Sequence, residues 1–125
     1  MASVFTKIIK GEIPAYKIYE DEKTYAFLDI NPKTWGHTLV VPKKEVDKLY
    51  ELEDEDYEAL WRTVKKIARH YDKITGKRVI LKVMGTDVPH AHVHVMLLNP
   101  EYKHGEELQL SAAEFEAAAQ KLRLH

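Results

Sequence analysis

The segment Val88-Pro89-His90-Ala91-His92-Val93-His94-Val95-Met96 is where this sequence concentrates its chemistry. Successive side chains of a β-strand point to opposite faces, so His90, His92 and His94 share one face and Ala91, Val93 and Val95 the other. Packing against a core accounts for the apolar face. The imidazole face needs another reason, because each buried ring would require its own hydrogen-bond partner. A solvated polar face is the bland reading, and three imidazoles at period two argue against it.

Two kinds of chemistry fit such a row. Neutral imidazoles hold zinc, and three of them can form a catalytic site. Along a strand, however, His90 and His94 stand roughly 13 Å apart, a poor tripod for a tetrahedral ion. Two of them with a distant third ligand keep a metal-dependent hydrolase open as an alternative. The other chemistry is organic. A neutral histidine can attack phosphorus and form a covalent intermediate that water resolves. Its second nitrogen must then hold a proton, typically against a backbone carbonyl. Flanking histidines can donate to phosphate oxygens as charge develops. That row needs neither metal nor cofactor.

The elements that would position the row are readable from periodicity and breakers. Ser3 caps a short helix running to about Lys10, ended by Gly11 and Pro14. Tyr16 to Asp29 reads as two strands turning at Glu20-Asp21-Glu22. Thr38 to Val41 is a brief strand stopped by Pro42. The clearest helix spans about Glu53 to Ile74, with Tyr57, Leu60, Trp61, Val64, Ile67, Ala68 and Tyr71 on one apolar face and Gly76 past its end. Strands follow at Val79–Met84 and Ala91–Leu98, and a last helix at about Ser111 to Leu122 opens on a capping box, Ser111 with Glu114. The expected class is α+β: a mainly antiparallel sheet with one long helix and a C-terminal helix.

Bulk properties set the bounds. A chain of 125 residues, 45% hydrophobic and 31% charged, suits one compact domain spanning residues 1–125. Nineteen basic against twenty acidic residues give a net charge of −1, which favours no nucleic-acid polymer. No segment has the length of a membrane span or the apolar run of a secretory signal, so the expected location is the cytoplasm. The absence of cysteine removes disulfides and thiol nucleophiles and fits a reducing compartment.

Three blocks together resemble one family. His90-Ala91-His92-Val93-His94-Val95-Met96 matches the histidine-triad (HIT) signature at every position. Phe27-Leu28-Asp29-Ile30-Asn31-Pro32, followed by Gly36-His37-Thr38-Leu39-Val40-Val41-Pro42-Lys43, is similar to the family's nucleoside pocket and its next strand. Val4 to Ile9 with Glu12-Ile13-Pro14 resembles its N-terminal start. The resemblance implies a nucleotide hydrolase or transferase acting on nucleoside phosphoramidates, adenylates or dinucleotides. It gives His92 the role of nucleophile on the α-phosphorus. His94 would bond the phosphate or departing group, with His90 and His37 supporting the nucleophile. Asp29 would accept from ribose hydroxyls, and Phe5, Ile8, Phe27 and Ile30 would line the base pocket. On composition alone, Phe5, Ile8 and Phe27 read equally well as core. The implied partners are a purine nucleotide or nucleotide conjugate and a second copy of the chain. An alternative from another class is a nucleotide-binding or interaction module with little turnover.

The chain also departs from better-known members. Many carry an Asn-x-Gly loop and an Ala-Gly-Gln step before the triad; here that stretch is shorter, with Gly85, Thr86 and Asp87 as its candidate phosphate contacts. Thr86 stands where Gln is frequent, and Asp87 brings a negative charge. The zinc-binding cysteines of some relatives are absent.

Overall fold

A computed structural model describes residues 3–84, 88–100, 102 and 107–124. In chain order the elements are α1 (Val4–Ile9), β1 (Lys17–Glu20), β2 (Thr24–Leu28), β3 (Thr38–Pro42), α2 (Asp54–Thr75), β4 (Val79–Lys82), β5 (Val93–Leu97) and α3 (Ala112–Leu122). The strands form one sheet, order β1-β2-β3-β5-β4, with every neighbouring pair antiparallel. The expected α+β class is the observed one. Gly85, Thr86 and Asp87 lie outside the described residues. No helix among the described residues is long and apolar enough to cross a membrane.

The sheet is covered on both faces, and its alternation sorts the residues. Ala26, Leu28, Val40, Val93, Val95 and Leu97 meet Leu60, Val64, Ile67 and Tyr71 of α2 in the main core. Phe27, Leu39 and Val41 point the other way and pack with Phe5 of α1 in a second, smaller cluster. Burial of α2 differs from its helical pattern at the start: Tyr57 is exposed, and Trp61 and Ala68 are only half-buried. Thr63, by contrast, is buried where its hydroxyl meets that of Thr24 at 2.8 Å. Burial pushes the Tyr71 phenol above its ordinary range, and its hydroxyl pairs with Thr38 at 2.6 Å.

Ends follow local chemistry. Asp21 Oδ1 accepts from the amides of Lys23 and Thr24 and builds the β1–β2 turn. Gly76, with φ 69°, closes α2 in the left-handed conformation. The expected strand over Ala91–Leu98 is shorter, and His90 and His92 precede the regular ladder. The partner strand explains this. Val40 pairs with Val93, so continuing the register would bring Ala91 opposite Pro42, which has no N–H to give. Instead, Ala91 N–H donates to Val46 O at 2.7 Å, and His90 N–H to Val88 O at 2.8 Å. Side-chain alternation nevertheless persists through this segment. Similarly, β4 stops at Lys82, two residues short of the expected end.

Gly36 holds the turn before β3 at φ +84°, and a Cβ there would stand 2.9 Å from Leu122 Cδ1 and 3.3 Å from Leu97 Cδ1. Gly36→Ala should therefore cost about 1–2 kcal/mol from the left-handed backbone alone. Thermal unfolding should show Tm falling by roughly 3–8 °C. An unchanged Tm would mean that the turn relaxes to negative φ.

Candidate active site

The histidine face and the smaller apolar cluster enclose one side of a cavity of about 630 Å³. Val4, Phe5, Ile8, Phe27 and Leu39 form its apolar part; Asp29, His37, Lys82, His92 and His94 are among its polar residues. Phe5 and Phe27 are core and cavity wall at once, 6% and 4% exposed, with their rings edge-on at 5.5 Å. Ile8 is half-buried beside them. Ile30, at 68% exposure, is a rim residue.

Groups that can act only one way assign the protons of all four imidazoles. His92 Nδ1 lies 2.7 Å from His90 O; a carbonyl only accepts, so Nδ1 carries the proton and Nε2 keeps its lone pair. His92 lines the cavity with Phe5 edge-on to its ring at 5.1 Å. The Lys33 amide donates to His37 Nδ1 at 3.0 Å, which places the proton of a neutral His37 on Nε2. That proton is directed at His94 Nδ1, 2.9 Å away. Neutral His94 therefore carries its own proton on Nε2. The resemblance gave His37 a role in supporting the nucleophile; its direct partner is His94. Leu39 is opposite His94, and His37, two residues before Leu39, lies diagonal to His94 on the same face. Burial, reinforced by nearby Lys33 and Lys82, pushes His37 down to about 4. Burial and the neighbouring His37 and His92 push His94 down to about 4. Both rings are thus neutral near pH 7.

His90 is fully buried beneath the site. Its Nε2 donates to Pro42 O at 2.8 Å, and its Nδ1 faces the Ser3 hydroxyl at 2.8 Å. The Ser3 hydroxyl also caps α1 through the Thr6 amide. Glu45 Oε1 accepts from both the Ser3 amide and the Thr6 hydroxyl at 2.6 Å, which lowers its carboxyl to about 2. Sequence reading had Ser3 only as a helix cap and missed Glu45, whose contact lies 42 residues away. It also missed Lys82, although a signal existed: Lys82 is the one charged residue in the otherwise apolar run Val79 to Met84.

Asp29 follows β2 and accepts the Asn31 amide on Oδ1 at 2.9 Å. Its Oδ2 is 3.6 Å from His37 Nε2. Asp29, His37 and His94 are the one group among the described residues whose ligand atoms converge enough for a metal ion. The proton pattern opposes that use. His37 Nε2 could bind a cation only by losing its proton while Nδ1 still accepts the Lys33 amide, and two lysines add positive charge nearby.

Comparison with known proteins agrees with this geometry. Residues 10–101 match the HIT domain. An uncharacterized HIT-like protein of Methanocaldococcus jannaschii is 42% identical over 105 residues, 80% of this chain and 79% of that protein. An adenosine 5'-monophosphoramidase of Schizosaccharomyces pombe is 35% identical over 111 residues, 84% of this chain and 81% of that one. A HIT-like protein from Bartonella henselae, described as involved in cell-cycle regulation, superposes with a TM-score of 0.85 at 29% identity, covering 97% and 93% of the two chains. With its three histidines, its sheet and its relatives in agreement, the chain belongs to the HIT domain family.

Proposed function

We propose that this protein is a nucleotide hydrolase or nucleotidyl transferase that cleaves a bond at an α-phosphorus through a covalent nucleotidyl-His92 intermediate. The observation that carries the reading is the proton assignment: His92 Nδ1–H is fixed on a carbonyl, leaving Nε2 as the free nucleophile at the cavity. Attack by Nε2 forms a P–N bond as the bond to the departing group breaks. Water then attacks the same phosphorus, the P–N bond breaks, and His92 is regenerated. His94 Nε2–H supplies a neutral donor for a phosphate oxygen or the departing atom. The apolar wall of Val4, Phe5 and Ile8 suits a purine base, and Asp29 suits ribose hydroxyls. Relatives named adenosine 5'-monophosphoramidase support a nucleotide conjugate as substrate.

The rest of the proposal is a single HIT domain working as a cytoplasmic homodimer. Strand β4 is a sheet edge, and Leu81, Val83 and Met84 on and beside it are 43–49% exposed. A second copy would cover them, as sedimentation would show.

His92→Ala should abolish turnover by several orders of magnitude while leaving far-ultraviolet circular dichroism unchanged. Mass spectrometry of acid-quenched wild-type enzyme should find a nucleotidyl group on His92; near-normal turnover of the variant would overturn the mechanism.

Asp29→Ala should weaken nucleotide binding by about 1–3 kcal/mol, the range for hydrogen bonds to a charged group. The loss should shrink for a 2',3'-dideoxy ligand. Equal losses for both ligands would assign Asp29 to the loop instead of the ribose.

Neutral burial of His37 and His94 also makes stability pH-dependent. Each ring ordinarily titrates near 6.5 and is held near 4 in the fold. Between these values the unfolded chain binds more protons, so stability is full above about pH 6.5 and falls as pH drops towards 4. Urea titrations should show His37 alone accounting for roughly 2–3 kcal/mol of that loss. A His37→Gln variant should have the shallower pH dependence; an identical slope would show that His37 is not held neutral.

A further inference from the structure

The register of the sheet sets four residues in one row across it. Phe27 of β2 is opposite Leu39 of β3, Leu39 is opposite His94 of β5, and His94 is opposite Lys82 of β4. Directly opposed residues share a face, and adjacent strands are about 4.8 Å apart, so the row spans roughly 14 Å. All four residues line the same cavity. The row is therefore ordered: an apolar end, an imidazole proton donor, then a cation.

A nucleotide laid along this row has a defined polarity. Its base meets Phe27 and Leu39, its α-phosphorus reaches the histidines, and whatever is attached beyond that phosphorus comes to Lys82. Among the described residues Lys82 has no carboxylate within ion-pair distance, whereas the cavity's other lysine, Lys33, has Glu107 at 3.6 Å. A half-buried ammonium with no ion-pair partner among the described residues gains a charge-assisted contact when an anion arrives. Asp29, another acidic group of the cavity, accepts the Asn31 amide on Oδ1, with its Oδ2 3.6 Å from His37 Nε2.

Resting on the covalent reading above, we propose that Lys82 selects the departing group, favouring nucleotide anhydrides whose leaving group is an anion over phosphoramidates whose leaving group is an amine. When His92 Nε2 bonds to the α-phosphorus of an anhydride, the bond to the bridging oxygen breaks. That oxygen keeps the electron pair and leaves as part of a phosphate or carboxylate anion beside the Lys82 ammonium. No proton is consumed in this step. An amine must instead gain a full proton as it departs; neutral His94 can hydrogen-bond it through Nε2–H, but giving that proton up would leave an imidazolate.

Diadenosine triphosphate and adenosine 5'-phosphoramidate present the same nucleoside with the two kinds of leaving group. Steady-state kcat/KM on both should be measured for the wild type, Lys82→Gln and Lys82→Arg. Loss of a charge-assisted contact predicts that Lys82→Gln lowers the anhydride value by about ten- to a hundredfold, with a smaller loss on the phosphoramidate. Lys82→Arg, which keeps the charge, should recover most of the anhydride activity. Equal losses on both substrates, a larger loss on the phosphoramidate, or no rescue by arginine would overturn the inference. A larger phosphoramidate loss would make Lys82 a proton donor to the amine. A wild type that cleaves only the phosphoramidate overturns this inference and leaves the covalent reading standing; a wild type that cleaves neither substrate overturns both.

Discussion

The 2.7 Å contact between His92 Nδ1 and the carbonyl oxygen of His90 ties the side-chain chemistry to the path of the main chain. A carbonyl cannot donate, so the bond fixes one tautomer and one ring plane together. It also requires His90 O to be free of the sheet ladder. Pro42 ends the pairing of the neighbouring strand with this segment. Without an N–H it cannot continue β3 opposite the segment entering β5, and its own carbonyl takes the His90 side chain at 2.8 Å. One proline thus ends the ladder on this side and anchors the ring beneath His92.

The same logic runs through the second pair of imidazoles in the opposite sense. There an amide, which cannot accept, forces the His37 proton outward to His94. Burial opposes the charged forms, so the arrangement holds without a counter-ion. Desolvation that would be wasteful for a structural histidine keeps donors and acceptors in fixed roles here. The resulting site is preorganised: the main chain has set each proton before any ligand binds.

Much of this was legible in the sequence, for identifiable reasons. Period-two alternation put His92 and His94 on one face because it depends only on neighbours in the chain, and it survived even where the ladder failed. Ser3, Gly76 and the Ser111–Glu114 box were readable because capping is local. The tautomers of His90 and His94 were not, since they depend on contacts with Pro42, 48 residues away, and with His37, 57 residues away. Which ring His37 faces was not legible either: the resemblance gave it a role in supporting His92, and the contact it makes is with His94. Tyr57 follows the apolar period of α2 and still lies outside the core, because periodicity says which face a residue is on but not how far along the helix that face stays covered.

Helix α1 shows how the distant contacts combine. Six residues are too few for a helix to stand alone in water, so its position must come from tertiary contacts. Phe5 supplies the apolar one, edge-on to Phe27, His90 and His92. Ser3 and Thr6 supply the polar one, clasped between His90 Nδ1 and Glu45. Val4, Phe5 and Ile8 of the same turn and a half form the apolar wall of the cavity. The wall of the cavity and the fastening that holds His90 are therefore one short element. A displacement of α1 would loosen His90 from Ser3, and through the carbonyl of His90 it would reach the ring of His92.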